Sequence, residues 1–164
     1  MKSKDAEKLF TLAYTDSMTG VYNRTAYDEQ LEKLRKKTAR LDKMTVMVAN
    51  VQGLKAVNDT YGHRTGDEFI KAVASCIVRT VGTKADVYRV DGDEFICIAE
   101  RDILSYIAEL RDLISFEARE KVYPFSLSIG YERFDSKKHK NIDDLLLGAD
   151  KRMLKDKQKS KKTR

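Results

Sequence analysis

The sequence has no tryptophan, one proline and two cysteines among its 164 residues. Cys76 and Cys97 lack CxxC spacing, and no apolar signal segment follows Met1. We therefore expect free thiols in a reducing compartment rather than a disulfide, and a cytoplasmic location. No apolar run is long enough to span a bilayer. With 41% hydrophobic residues, the composition excludes a disordered chain and predicts one domain with one core.

Most of the chain also lacks an excess of positive or negative charge. Residues 1–150 contain twenty-four basic and twenty-five acidic residues, whereas residues 151–164 contain eight basic residues and one acidic residue. The net charge of +6 therefore comes from the C-terminal segment. We interpret residues 159–164 as a basic tail. We expect no nucleic-acid binding, because no recognition element or interleaved aromatic residues accompany the lysines.

Hydrophobic periodicity predicts six helices and four strands. The predicted helices cover 2–14, 24–41, 53–58, 66–82 and 102–117, and one follows Asn141; the predicted strands cover 45–51, 86–91, 94–99 and 123–131. This order predicts an α/β (α+β) fold, in which helices pack on a mixed central β-sheet, close to the ferredoxin-like split βαβ arrangement. We expect residues 1–15 to be a connector helix from an upstream domain and residues 16–158 to be the main domain.

An acidic turn joins the second and third predicted strands. Asp91-Gly92 between alternating hydrophobic residues is a strong hairpin signal. Asp91, Asp93 and Glu94 place three carboxylates within four residues, which is more than a hairpin turn needs. Oxygen ligands of this kind suit a hard cation such as magnesium. A solvated hairpin tip explains the same residues, and the stretch alone leaves both interpretations open.

Three further groups of residues have the chemistry of a nucleotide site. Gly53 follows the first strand, and the amides of the helical turn after it are suited to a phosphate. Asn58 and Asp67 together offer the donors and acceptors that a purine edge requires. Lys157 and Lys161 lie four residues apart, on one face of a helix. Each signal is weak alone, because such residues are more often structural or solvated.

Together these motifs resemble the GGDEF domain family, the diguanylate cyclases, over nearly the whole chain. The similar segments are 16–24 (DSMTGVYNR), 55–63 (KAVNDTYGH), Gly66-Asp67, 89–95 (RVDGDEF), 128–130 (SIG), Ala149-Asp150 and Lys157. They are similar to the family patterns D-x-L-T-G-L-x-N-R, K-x-x-N-D-x-x-G-H, R-x-G-G-D-E-F and S-I-G, in the same order and spacing. The resemblance implies a fold of the nucleotidyl cyclase palm type.

The resemblance also implies an activity and a site. Family members condense two GTP molecules into cyclic di-GMP between the subunits of an antiparallel homodimer, with magnesium as cofactor. By position, Asp93 and Glu94 are the expected catalytic residues. The expected metal ligands are Asp93, Asn50, Val51 and Glu94. The expected substrate-binding residues are Asn58, Asp67, Gly53, Leu54, Lys55, Gly92, Lys157 and Lys161. The implied partners are GTP, a second GGDEF domain in a homodimer or heterodimer, and an upstream sensor domain, in some cases of a membrane receptor.

Two departures from the family pattern fall within this implied site. Asn50 stands where a metal-binding carboxylate is expected, and the acid expected two residues later is Gln52. Asp91 replaces the first glycine of the signature. The R-x-x-D motif of product inhibition is also missing upstream of the hairpin, within 80–86. We therefore expect a catalytically degenerate domain that binds GTP or regulates a partner. An active cyclase and a purely structural dimerisation domain are the alternatives.

Overall fold

A computed structural model describes residues 2–36 and 40–162. The helices are α1 (Lys2–Tyr14), α2 (Arg24–Arg35), α3 (Leu54–Tyr61), α4 (His63–Val81), α5 (Leu104–Ala118) and α6 (Ile142–Lys162). The strands are β1 (Thr45–Val51), β2 (Asp86–Asp91), β3 (Glu94–Ala99) and β4 (Leu127–Arg133). A short 3-10 turn, Gly82–Lys84, connects α4 to β2. The order of the elements is the order predicted from periodicity.

The four strands form one sheet in the order β2-β3-β1-β4. All pairings between these strands are antiparallel. A parallel pairing occurs outside these strands, as an isolated bridge between Tyr22 and Tyr88 at the edge of β2 that faces away from β3. With its helices, this sheet confirms the predicted α+β class and the ferredoxin-like arrangement.

Helices cover both faces of the sheet, and β1 is buried along its whole length. The odd-numbered residues Met47 and Ala49 belong to a core cluster with side chains of α4 and α5. The even-numbered residues Val46 and Val48 belong to a second cluster with side chains of α2 and α6. Because successive side chains in a strand alternate between faces, the next even-numbered residue, Asn50, lies on the α6 side.

Three predicted boundaries were wrong. The helix predicted over 24–41 ends at Arg35, and residues 37–39 lie outside the described part of the chain. The loop predicted over 59–63 is mostly helical, because α3 continues to Tyr61 and α4 begins at His63, directly after Gly62 with φ +88°. The strand predicted over 123–131 runs from Leu127 to Arg133. Since β1 ends at Val51, which pairs with Leu127, the regular pairing of β4 begins at Leu127.

Helix α6 begins after the predicted Asn141 cap and extends into the expected basic tail. The side chain of Asn141 accepts a hydrogen bond from the Asp144 N–H at 2.9 Å, the predicted N-terminal cap. At the other end, residues 159–162 of the expected basic tail continue the helix, while residues 163–164 are outside the described chain. No helix within the described residues is long and apolar enough to cross a membrane.

We predict that Gly130→Ala destabilises the domain by about 1–3 kcal/mol. A Cβ atom at Gly130 would collide with the α6 backbone at Ala149 and Met153, so β4 and α6 would have to separate. Urea unfolding measures the change. Gly92→Ala is the control, because nothing lies within 4 Å of a Cβ added there. Equal losses of stability in the two variants would contradict the close packing of β4 against α6.

Candidate functional site

The end of β1 and the start of β3 bring the four predicted metal ligands together. Asn50 is directly paired with Glu94 in the antiparallel register. The N–H of Val51 donates to the backbone carbonyl of Asp93 at 2.8 Å. Side chains of directly paired residues share one face of a sheet, so Asn50 and Glu94 both lie on the α6 side. We call these four residues the β1–β3 junction.

Asn50 is held by a neighbour within the junction. It is only 8% exposed, and its side-chain Oδ1 accepts a hydrogen bond from Gln52 Nε2 at 3.0 Å. The same amide nitrogen of Gln52 also donates to the Asn50 backbone carbonyl at 3.0 Å. An amide pair therefore occupies the two positions where the resemblance implies acidic side chains. The pair joins the Asn50 side-chain oxygen to the Gln52 amide nitrogen but contributes no negative charge.

The turn between β2 and β3 is fixed by three side chains. Arg89 donates to the Gly92 carbonyl through Nη2 at 2.9 Å and to the Asp16 carboxylate through Nη1 at 3.2 Å. The Asp91 side chain contacts the turn backbone, because its Oδ1 accepts a hydrogen bond from the Gly92 N–H at 2.7 Å. Arg24 donates to the Val90 carbonyl at 3.2 Å. The turn amide of Gly92 therefore already has an anionic acceptor within the chain.

Negative charge accumulates around Glu94, which is half-buried. Burial raises the pKa of Glu94 above its ordinary value, and the carboxylates of Asp150, Asp91 and Asp93 raise it further, while Arg24 opposes them. The resulting potential favours a cation at the junction and a proton on Glu94. Asp150, at the α6 side, was not among the predicted site residues, although the Ala149-Asp150 motif signalled its region. Arg24 and Arg89 were also not among the predicted site residues, although both are fixed positions of the similar segments 16–24 and 89–95.

The junction offers only oxygen donors: the carboxylates of Asp93 and Glu94, the amide of Asn50 and the carbonyl of Val51. This donor type fits magnesium, which prefers hard oxygen ligands. Within residues 2–36 and 40–162, however, no cluster of three or more His, Cys, Asp or Glu side chains could hold a metal ion. The donor type therefore fits magnesium, but the junction has fewer charged ligands than a strong magnesium site would have.

The predicted phosphate loop lies at the start of α3, immediately after β1. Gly53 has φ +74°, a conformation that disfavours a side chain, and it ends the strand and starts the helix. The N–H groups of Gly53, Leu54 and Lys55 belong to the first turn region, where helix amides have no acceptor within the helix. Gly53 and Lys55 are exposed. These amides are therefore available to an anion near the β1–β3 junction.

The predicted purine-reading residues lie on α3 and α4. Asn58 is half-buried on α3, and a Cβ atom at Gly66 of α4 would collide with its side-chain amide. Gly66 thus makes room for Asn58 against α4. Asp67 follows Gly66 on the same helix and is exposed. The structure therefore places Asn58 against the turn of α4 that carries Asp67.

Lys157 and Lys161 lie one turn apart on the last part of α6. Lys157 is half-buried and Lys161 is exposed. The preceding residue, Asp156, anchors this turn, because its Oδ2 accepts from the Ile129 N–H at 2.7 Å and from Arg111 Nη1 at 3.1 Å. Within the described chain, no hydrogen bond or ion pair joins either lysine to the β1–β3 junction.

Comparisons with known proteins agree on one family. The sequence profile of "Diguanylate cyclase, GGDEF domain" matches residues 13–163. The chain is 30% identical over 158 residues to "Probable diguanylate cyclase DgcI" of Escherichia coli, covering 93% of this chain and 34% of the relative. It is 36% identical over 94 residues to "Bifunctional diguanylate cyclase/cyclic di-GMP phosphodiesterase MucR" of Pseudomonas aeruginosa, covering 57% of this chain and 14% of that relative. The chain thus spans only about a third or less of these curated relatives.

Solved structures show the same fold. The crystal structure of the coiled coil and GGDEF domain of DgcB from Caulobacter crescentus, in complex with c-di-GMP, superposes with a TM-score of 0.80. It covers 95% of this chain and 86% of that chain at 23% sequence identity. The predicted palm-type fold is therefore confirmed.

We predict that Glu94→Gln raises the midpoint of thermal unfolding at pH 7 by roughly 1–3 °C. The folded-state pKa of Glu94 is raised, so ionisation costs more in the folded than in the unfolded chain. This penalty is full above the folded pKa and disappears below the unfolded pKa. The gain should therefore shrink when unfolding is measured at pH 4. Glu109→Gln, on exposed α5 surface, is the control; a midpoint for Glu94→Gln at or below that of the unmodified chain at pH 7 would contradict the charge accumulation.

Proposed function

The chain belongs to the GGDEF domain family of cyclic di-GMP signalling, and from this membership we propose that it is a catalytically degenerate member. In this proposal the domain binds GTP and acts as a regulatory or dimerisation module. The observation that carries the proposal is the state of Asn50, an uncharged ligand paired with Glu94 and hydrogen-bonded to Gln52. The proposal divides the site into two halves. The metal and phosphate half consists of the β1–β3 junction and the acidic turn, and it is weakened. The nucleotide-binding half includes Asn58, Asp67 and the amides after Gly53, and it is retained.

The loss of charge at Asn50 weakens the metal half. Magnesium would be held by Asp93, Glu94, Asn50 and the Val51 carbonyl, and when bound it would neutralise the charge of the reacting phosphates. With Asn50 in place of an acid, one negative charge is missing from this set. The Asn50 oxygen already uses one of its two lone pairs for the hydrogen bond from Gln52. Both effects lower the affinity for the ion.

The added charge at Asp91 weakens the phosphate half. A carboxylate within ~5 Å of a phosphate repels it by roughly 1–3 kcal/mol at an effective dielectric constant between about 20 and 60. Asp91 also covers the Gly92 amide, which is one of the groups expected to face the substrate. An anionic substrate would have to displace an anionic side chain that is already bonded there. This supports a loss of turnover.

The nucleotide-binding half keeps its residues. Asn58 is positioned by Gly66, and Asp67 is exposed beside it, so a guanine edge could receive both a donor and an acceptor. The amides at Gly53–Lys55 favour a phosphate, with Lys157 and Lys161 as additional cations. None of these groups depends on Asn50 or Asp91. GTP binding can therefore outlast catalysis.

Glu94 supports the alternative, an active diguanylate cyclase. Its carboxylate is retained, and its raised pKa brings it closer to the range of an effective proton acceptor at neutral pH. In an active enzyme Glu94 would take the proton of the attacking 3′-hydroxyl, and Asp93 would lie at the metal. This alternative requires Asn50 to serve as a sufficient ligand and Asp91 to leave the turn.

The proposal also includes partners. A second GGDEF domain, identical or different, would complete the site across a dimer interface, and an upstream sensor domain would connect through residues 1–15. Helix α1 leaves large apolar side chains exposed, with Leu9 at 67% and Leu12 at 79%. Apolar surface of this kind on a helix is typical of an interaction surface. We place the domain in the cytoplasm, where GTP is available.

We predict that the purified chain prefers GTP to ATP and that Asp67→Ala removes the preference. Asp67 is the acceptor for the guanine edge, so the variant should bind GTP roughly tenfold more weakly, the usual effect of losing a charge-assisted hydrogen bond. Calorimetry with both nucleotides measures this. Asp59→Ala, an exposed carboxylate on neighbouring α3, is the matched control and should retain the preference. Equal affinity of the unmodified chain for GTP and ATP would contradict guanine recognition and favour a structural module.

We predict that the unmodified chain makes little or no cyclic di-GMP and that the double variant Asn50→Asp with Asp91→Gly makes far more. Asn50→Asp restores a charged ligand beside Asp93, and Asp91→Gly frees the Gly92 amide. Both changes act on one cluster, so the gain in the double variant should exceed the sum of the single gains. Product formation from GTP and magnesium is the measurement.

The rescue experiment needs two controls. Each variant must bind GTP and form dimers at the assay concentration, because each subunit would supply half of the reaction. Asp112→Asn, on exposed α5 surface, should leave the product yield unchanged. A folded, GTP-binding and dimeric double variant that stays inactive would show that the defect lies elsewhere. Turnover of about 1 per second by the unmodified chain would contradict degeneracy.

A further inference from the structure

A cavity of about 280 Å³ lies at the start of β2, between α1 and α2. It is at the opposite end of β2 from the acidic turn, and no residue of the candidate site lines it. Four aromatic rings and two carboxylates form much of its wall: Phe10, Tyr14, Tyr22, Tyr88, Glu29 and Asp86. Ligand pockets are typically about 300–1,000 Å³, and this cavity lies just below that range, so it suits a molecule smaller than most ligands.

The aromatic rings form two pairs that leave surface open. The ring centroids of Phe10 and Tyr14 are 4.9 Å apart, and those of Tyr22 and Tyr88 are 5.4 Å apart in a stacked arrangement. Tyr88 is buried, but Phe10 is 55% exposed and Tyr22 is 37% exposed. Covering this exposed aromatic surface with a ligand would be favourable, because it removes apolar area from water. The faces of aromatic rings attract cations through their quadrupole.

The carboxylates add negative charge to the same wall. The Tyr14 hydroxyl donates to Glu29 Oε1 at 3.1 Å, which holds one carboxylate at the cavity. Among residues 2–36 and 40–162, no basic side chain forms an ion pair with Asp86. Asp86 is exposed at the rim of the cavity, where partial desolvation, followed by the charge of Glu100, raises its pKa. Lys33 also lines the cavity and offsets only one of the two charges.

We propose that this cavity binds a small organic cation that carries a quaternary ammonium or guanidinium group. The rings of Phe10 and Tyr22 would contact the cationic group, and Asp86 and Glu29 would balance its charge. Phe10 belongs to α1, whereas Asp86 belongs to β2. A bound cation would therefore fasten α1 to the domain. The proposal is independent of nucleotide binding.

The test is calorimetric titration of the full chain with choline and with agmatine, which separate the ammonium and guanidinium possibilities. The control ligand is 3,3-dimethylbutan-1-ol, a neutral molecule with the shape of choline. We expect at least one cation to bind at millimolar concentration or better and the neutral alcohol not to bind. Asp86→Asn should weaken cation binding by roughly five- to thirtyfold, while Asp112→Asn should not change it.

A second variant and a second measurement keep the test valid if Asp86→Asn does not fold. Tyr22→Leu keeps the backbone bonds of residue 22 to β2, which do not involve its side chain, and should also weaken binding. Hydrogen exchange of the α1 amides should slow when the cation is present. The proposal is overturned if neither cation binds, if the neutral alcohol binds equally well, or if both variants bind like the unmodified chain.

Discussion

The register of β1 against β3 is the constraint on which the rest of the site depends. It pairs Asn50 with Glu94 and joins Val51 to Asp93 through a backbone hydrogen bond of 2.8 Å. Strand β1 is buried on both faces, so a shift of one residue would move each of its apolar side chains from its own core cluster to the opposite one. The core therefore fixes which side chains meet at the junction. Function is then decided by the chemistry of those side chains.

The structure separates what maintains the fold from what the proposed catalysis requires. Gly130 allows α6 to approach β4, and Arg89 holds the turn by binding the Gly92 carbonyl and Asp16. These contacts involve neither the Asn50 side chain nor the Asp91 carboxylate. A chain can thus lose a metal ligand and gain a charge at the turn while the scaffold persists. Under the proposal, this separation accounts for a complete family fold that carries a weakened metal half.

Much of the fold was predictable because it follows from local patterns. The order of helices and strands came from hydrophobic periodicity, and the hairpin and the Asn141 cap came from turn and capping residues. The extent of β4 was not predictable, because it depends on where β1 ends. Within the site, the sequence indicated the junction residues. It could not indicate the Gln52–Asn50 bond or the nearness of Asp150 to Glu94, since both depend on tertiary structure.

The central claim is that the metal half of the site is weakened while the nucleotide-binding half is retained. The most direct measurement is the affinity for GTP by calorimetry, once with excess magnesium and once with EDTA and no divalent ion. If the account is correct, GTP binds under both conditions and the two affinities differ by less than about tenfold, or 1.4 kcal/mol. A GTP affinity that rises more than about a hundredfold with magnesium would show a strong metal site and contradict the account.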